Sequence, residues 1–402
     1  MYFNAKGAII MPFDASFFDA GPDRSGTASV KWSQPGFCPE GHIPLWVADM
    51  DFACAPAITE ALVNRAGHPS YGYTYVGDED RQAFCAWWQR RHGVSLKTSD
   101  IGLLPSVVSG LRVGVEEFTK PGEGVIIQPP VYGPFYASIE DAGRKVLEAP
   151  LRRNAEGHYT MDLDAVEARL KQGARLMILC NPHNPVGRAW SREELLSLTG
   201  LLGRYDCMLI SDEIHADFVY SPARFTSLLS LNYERLLVLA AASKTFNLAG
   251  LQQANIVCRD ASRMRAVSAR LHRAGVEAGN LFALTATRAA YEHGAEWLDG
   301  LLHYLSDSRN ILAESLKTLL PEAILTPIEA TYLAWVDVSA YGTNNEDRYR
   351  RCEQALVLPT NGTFFGKAAG EGFMRLNFGC PRGQLTQGLE RFAKALNGYG
   401  KG

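Results

Sequence analysis

Lys244 follows an unbroken apolar run, Leu236 to Ala242, in the stretch LLVLAAASKTFNLAG. Such a run predicts a buried strand, and open α/β sheets bind ligands beside the carboxyl ends of their strands. A lysine held there loses water, its pKa falls, and it becomes a nucleophilic amine able to form a Schiff base. Three further strand ends carry polar groups. Met208–Ile210 leads into Asp212, Glu213 and His215. Residues 175–180, RLMILC, end in NPHNPVGR with Asn184. Ser109-Gly110 stands before a helix predicted over residues 111–119. A strand-end carboxylate can hold a ring nitrogen protonated, and an amide can donate to a phenolate oxygen. Free N–H groups at a helix start can take a phosphate. In GVIIQPPVYGPFY two prolines fix the ring of Tyr132, either as a stacking platform or as a packed aromatic. Singly, each signal is weak. A lone strand-end lysine is more often a solvated loop residue, and many helices begin with Ser-Gly.

The elements that must position these residues alternate. Pro56 opens a helix that Gly67 closes. A second helix carries the stripe Phe84, Trp87 and Trp88. Another starts near Asp162, and Ser191-x-x-Glu194 forms a capping box ahead of Leu195, Leu198, Leu201 and Leu202. Strand and helix in turn predict βαβ units and a parallel sheet. Right-handed crossovers then bring the strand ends to one side. Residues 253–258, QANIVC, read as a hairpin partner of the 236–242 strand, and residues 261–318 as largely helical. The tail returns to mixed α/β through TYLAWVDV and FMRLNFGCPR, the latter carrying Arg375, and ends in a helix over residues 386–396. No repeat or low-complexity linker interrupts the chain.

Composition narrows the function classes. The 402 residues are 47% hydrophobic and 21% charged with a net charge of −3, which fits a soluble globular protein of two or three domains. Without a basic tract, nucleic acid is not an expected partner. No apolar run reaches the length that spans a membrane. The opening MYFNAKGAIIMPF lacks the form of a signal peptide. Eight scattered cysteines include no C-x-x-C pair, so neither a disulfide framework nor a zinc site is expected, and a reducing cytoplasm fits. Cys180, Cys207 and Cys258 read as small core residues. Asp49 and Asp51 are too few to hold a metal and read as turn residues; no metal site is expected.

Taken together the strand-end groups match one cofactor. An imine-forming lysine, an acid for a pyridine nitrogen, an amide for a phenolate, a ring to stack and a phosphate cradle are what pyridoxal 5'-phosphate needs. The motifs PLWVADMDF, HPSYGYTYV, NPHNPVGR, SDEIHADFVY, SKTFNLAGLQ and RLNFGCPR resemble the fold-type I, aspartate-aminotransferase-like superfamily of pyridoxal-phosphate enzymes, and within it the cystathionine β-lyase branch. That resemblance implies a mixed α/β fold: a mostly parallel seven-stranded sheet sandwiched by helices, with a smaller α+β domain. Residues 1–60 would form an arm and part of the small domain, 61–295 the large cofactor-binding domain, and 296–402 the C-terminal small domain.

The resemblance also implies roles. Lys244 would form the imine, Asp212 would pair with the pyridinium nitrogen, and Asn184 would donate to the phenolate oxygen. His215 stands where aminotransferases usually place a tyrosine. Tyr132 would stack on the ring. Ser109, Gly110, Leu111 and Ser243 would hold the phosphate. Tyr73, in Y-x-x-x-G, would reach the phosphate of a neighbouring subunit, giving a homodimer with shared sites. Arg375 would clamp the substrate carboxylate, with Asn184, Tyr73 and Ala48 as further substrate contacts. One departure stands out. Many aminotransferases carry a phosphate-binding arginine eight residues after the lysine, where this chain has Gln252, and Ala241 replaces a frequent Ser or Thr. The expected activity is α,β-elimination from a cysteine thioether such as L-cystathionine. The same residues also permit transamination between an amino acid and a 2-oxo acid.

Overall fold

The computed structural model describes residues 2–3, 9–10, 13–34, 36–276 and 279–398; most of the opening MYFNAKGAIIMPF lies outside them. The central sheet has seven strands: β1 (Ile101–Leu104), β2 (Gly124–Ile127), β3 (Lys145–Glu148), β4 (Leu176–Cys180), β5 (Met208–Asp212), β6 (Leu236–Ala240) and β7 (Ala254–Val257). Their spatial order is β1-β7-β6-β5-β4-β2-β3. β2 to β6 run parallel, and β7 is antiparallel to both of its neighbours. β7 does pair with β6, as the sequence predicts, with Val238 opposite Val257.

Both faces of this sheet are covered, which is why its strands read as continuous apolar runs. β4, β5 and β6 are buried at every position. Alternate residues feed opposite cores: Met177, Leu179, Leu209 and Val238 enter one, while Ile178, Ile210, Leu237 and Leu239 enter the other.

The helices start and stop on local chemistry. α1 (Pro56–Ala66) has proline in its first turn, and α2 (Asp78–His92) opens on three acidic residues, ends on three basic ones and stops at left-handed Gly93. α3 (Val107–Phe118) starts four residues before the predicted 111–119 helix. α4 (Arg192–Arg204) carries the expected Ser191–Glu194 capping box. α5 (Leu281–His293) packs on α1 and α2, and the long α6 (Ala295–Leu319) packs on the last helix, α7 (Arg382–Asn397).

A second sheet of four strands, β8 (Ile324–Leu325), β9 (Leu333–Asp337), β10 (Thr360–Asn361) and β11 (Phe373–Asn377), has the order β8-β9-β11-β10 and is antiparallel throughout. Ile43–Pro44 pairs in parallel with Val357–Leu358, so the chain before residue 50 is tied to this second region. Asp49 and Asp51 are not turn residues. Asp51 is 3% exposed and accepts from Lys31, Arg24, Trp32 and Gln384, so an ion-pair network claims the two carboxylates. Among the described residues no helix is long and apolar enough to cross a membrane.

Candidate active site

Because β1, β6, β5, β4 and β2 run the same way, their carboxyl ends meet along one edge, and a cavity opens there. Ala48, Ser106, Val107, Val108, Tyr132, Cys180, Asn184, Asp212, His215, Ser243, Lys244, Gln252 and Gln253 are among the residues that line it. Lys244 sits in the β6–β7 connection on a single helical turn, Ala242–Thr245. Fully buried Phe246 pins that turn, and the Thr245 hydroxyl donates to Asp217 at 2.7 Å. The Lys244 Nζ donates to the Ala48 carbonyl at 2.5 Å. Burial pushes its pKa down to about 8; the Asp49 carboxylate opposes this, Arg375 adds to it, and Asp212 opposes it.

Asp212 ends β5 with 3% exposure, and its Oδ1 accepts the Ile214 N–H at 3.1 Å. Desolvation raises its pKa to about 7, against smaller lowering effects of that hydrogen bond and of Lys244. A buried carboxylate so poorly compensated calls for a cationic partner from the cavity. His215 is held neutral: burial, then Lys244 and Arg375, lower its pKa to about 3. Its Nδ1 is buried with no protein partner. Arg375, on β11 and 4% exposed, donates to Asn184 Oδ1 at 3.1 Å and to the Trp46 carbonyl at 2.6 Å. Burial lowers even its pKa, to about 10.

These features fit pyridoxal phosphate. Asp212 lacks a cation that a protonated ring nitrogen would supply. Asn184 and His215, whose Nδ1 has no protein partner, line the same cavity, and an amine of lowered pKa lines it too. At the phosphate end the structure places the helix start earlier than the sequence reading did. Ser109, Gly110 and Leu111 do not line the cavity. The helix begins earlier because Ser106 is its N-cap: Ser106 Oγ accepts the Ser109 N–H at 3.1 Å, and the Ser106 carbonyl accepts the Gly110 N–H at 3.3 Å. Those N–H groups are spent inside the helix. Val107 and Val108, whose first-turn N–H groups have no intrahelical partner, line the cavity instead. Ser243 does line it, and so does Gln252, whose backbone is left-handed at φ 56°. Ala241 lies on the other side of the turn, away from the cavity.

Residues 41–392 match the aminotransferase class I and II family. The chain belongs to that family. It is 42% identical to the cystathionine β-lyase PatB of Bacillus subtilis (strain 168) over 387 residues, covering 94% of this chain and 100% of that one. Among solved structures, cystalysin from Treponema denticola, which contains a pyridoxal 5'-phosphate cofactor, is similar with a TM-score of 0.90 and 30% identity over 97% of this chain and 99% of that one. The pyridoxal-phosphate-bound C–S lyase of Staphylococcus hominis has a TM-score of 0.87 and 32% identity over 95% and 99% of the two chains.

Within this family member, Lys244, Asp212, Asn184, His215, Tyr132, Ser243 and Ala48 meet at one cavity, and Arg375 joins it through Asn184. Tyr73 does not. It is fully exposed on a loop with Tyr71 and Tyr75, beside Gly279, Asn280 and Leu281. Sequence reasoning missed Ser106, Val107, Val108 and Gln253. A serine three positions before Ser109 was the available sign of the earlier helix start. Cys180 was read as a core residue, and it is buried, yet it also forms part of the cavity wall.

Proposed function

We propose that this chain is a pyridoxal-phosphate-dependent carbon–sulfur β-lyase. It cleaves L-cystathionine or a related cysteine thioether to a thiol, pyruvate and ammonia by α,β-elimination. The observation that carries this reading is the pairing of a deprotonatable buried amine, Lys244, with an undercompensated buried acid, Asp212, across one cavity. The named activities of the relatives support elimination over transfer, as does Gln252 at the position where many aminotransferases have arginine.

When bound, pyridoxal phosphate supplies an aldehyde for amines and a ring that accepts the electron pair from Cα. Val107, Val108, Ser243 and Gln252 would hold its phosphate, Tyr132 would stack on its ring, and Asn184 would donate to its phenolate oxygen. Asp212 keeps a proton on the ring nitrogen. Arg375, already oriented by Asn184 and the Trp46 carbonyl, binds the substrate carboxylate through its planar fork. Lys244 Nζ, whose pKa burial lowers to about 8, takes the Cα proton. The Cβ–S bond then breaks with its electron pair on sulfur, and water converts the remaining three-carbon unit to pyruvate and ammonia.

Residues 61–295 form the cofactor domain and 296–402, with the chain before 61, the small domain. The seven-stranded sheet within 101–257, the four-stranded sheet within 324–377 and the pairing of residues 43–44 with 357–358 support that division. The protein acts as a homodimer in which Tyr73 enters the partner's cavity. Three exposed tyrosines on one loop support this, because isolated chains rarely leave such a patch uncovered. All eight cysteines are free, which accords with a cytoplasmic location. The test is release of pyruvate and thiol from L-cystathionine with no 2-oxo acid present. Conversion of L-cystathionine only after a 2-oxo acid is added, with no thiol released, would make the protein an aminotransferase.

A further inference from the structure

The segment from Trp46 to Phe52 runs past the cavity with its carbonyls held one after another by side chains. Asn377 donates to the Val47 carbonyl at 2.6 Å and to that of Asp49 at 2.9 Å. Lys31, wholly buried, donates to the Asp49 carbonyl at 2.7 Å. Asn247 donates to the Met50 and Phe52 carbonyls at 2.9 and 3.0 Å. The Ala48 carbonyl between them therefore cannot rotate to find a new partner. It accepts from two donors, Lys244 Nζ at 2.5 Å and the Tyr332 hydroxyl at 3.1 Å.

Only one of those donors can stay through a catalytic cycle. A free lysine amine has hydrogens to spare. Once its nitrogen is condensed with an aldehyde, it keeps one hydrogen when protonated and none when not. Without a second donor the Ala48 carbonyl would then be left unpaired at the wall of the cavity, and an unpaired buried polar group is costly. Tyr332 has no such conflict. It is 1% exposed, and its ring is fixed edge-on to Phe218 at 4.9 Å and to His215 at 6.0 Å.

We propose that Tyr332 is a positioning residue whose hydroxyl keeps the Ala48 carbonyl paired whenever Lys244 leaves it for the cofactor, and so favours the cofactor-bound state. This rests on the reading of Lys244 as the cofactor-binding lysine.

The test is Tyr332→Phe, which keeps the ring and its packing. The dissociation constant for pyridoxal phosphate, titrated onto cofactor-free protein, rises about tenfold. The melting temperature of the cofactor-free variant stays within about 1 °C of wild type, because Lys244 still serves the carbonyl. In a Lys244→Ala background Tyr332 is the remaining donor, so the same change lowers the cofactor-free melting temperature by about 2 °C. An unchanged dissociation constant overturns the proposal. An equal loss of melting temperature in both backgrounds also overturns it, since it marks a purely structural tyrosine. Borohydride reduction followed by peptide mass mapping separates the two levels. No adduct on Lys244 in wild type removes the underlying reading and the proposal together, whereas an adduct with an unchanged constant removes the proposal alone.

Discussion

At the scale of single residues, Asp212 makes the sharpest demand. Burial pushes its carboxyl up to about 7 in the folded, cofactor-free chain, against about 3.9 when unfolded. Between those values the folded state binds more protons, so cofactor-free protein loses stability as pH rises from about 4 through about 7, by about 4 kcal/mol at most. Asp212→Asn should flatten that pH dependence in cofactor-free protein, measured by denaturant midpoints across the window, while lowering turnover at least a hundredfold, by about the effect of one electrostatic group. A slope unchanged by the substitution would assign it to another group. Asp212 and Lys244 were legible in the sequence because a charge at the end of an apolar run breaks its pattern. Tyr332 was not. Its partner is a backbone carbonyl 284 residues away, and a carbonyl leaves no mark in a sequence. The Asp51 network escaped for a similar reason: Arg24 and Lys31 lie more than a turn's reach away, so the carboxylates looked like loop residues.

At the scale of elements, the site depends on how closely α3 approaches the sheet. A Cβ on Gly110 would come within 2.6 Å of Leu104 Cδ1 and 2.7 Å of Leu239 Cδ2, on β1 and β6. Gly110 therefore sets how closely α3 packs against the sheet. Gly110→Val should cost about 1–3 kcal/mol by overpacking and should also weaken cofactor retention, because the first turn bearing Val107 and Val108 must shift. Chemical denaturation and a cofactor titration read the two effects, and a normal cofactor affinity would show that the helix start is independent of its seat. β4, β5, β6 and β7 were legible in their apolar runs, whereas β1 and β3, only partly buried, and the spatial order of the strands were not. Nor was the start of α3, since the β-branched pair Val107-Val108 reads as the tail of a strand until Ser106 is recognised as a cap whose partner is a serine rather than the usual glutamate or glutamine.

At the scale of the whole molecule, one chain holds every proposed cofactor contact except Tyr73, which is why the proposed dimer is worth testing. Tyr73→Ala and Lys244→Ala damage opposite halves of a shared site. Mixing the two inactive variants and allowing subunit exchange should restore up to about a quarter of wild-type activity, since half of the random dimers carry one intact site in two. No recovery in a mixture shown to contain hybrids would place Tyr73 outside the partner's cavity. Nothing in one chain's sequence states which surface a second copy covers, and the Y-x-x-x-G resemblance was the only pointer. The account stands most directly on one covalent bond. Purified protein loaded with pyridoxal phosphate, reduced with borohydride and digested, should carry the reduced pyridoxyl-phosphate mass on the peptide containing Lys244. The same mass on a different lysine, or on none, would contradict it.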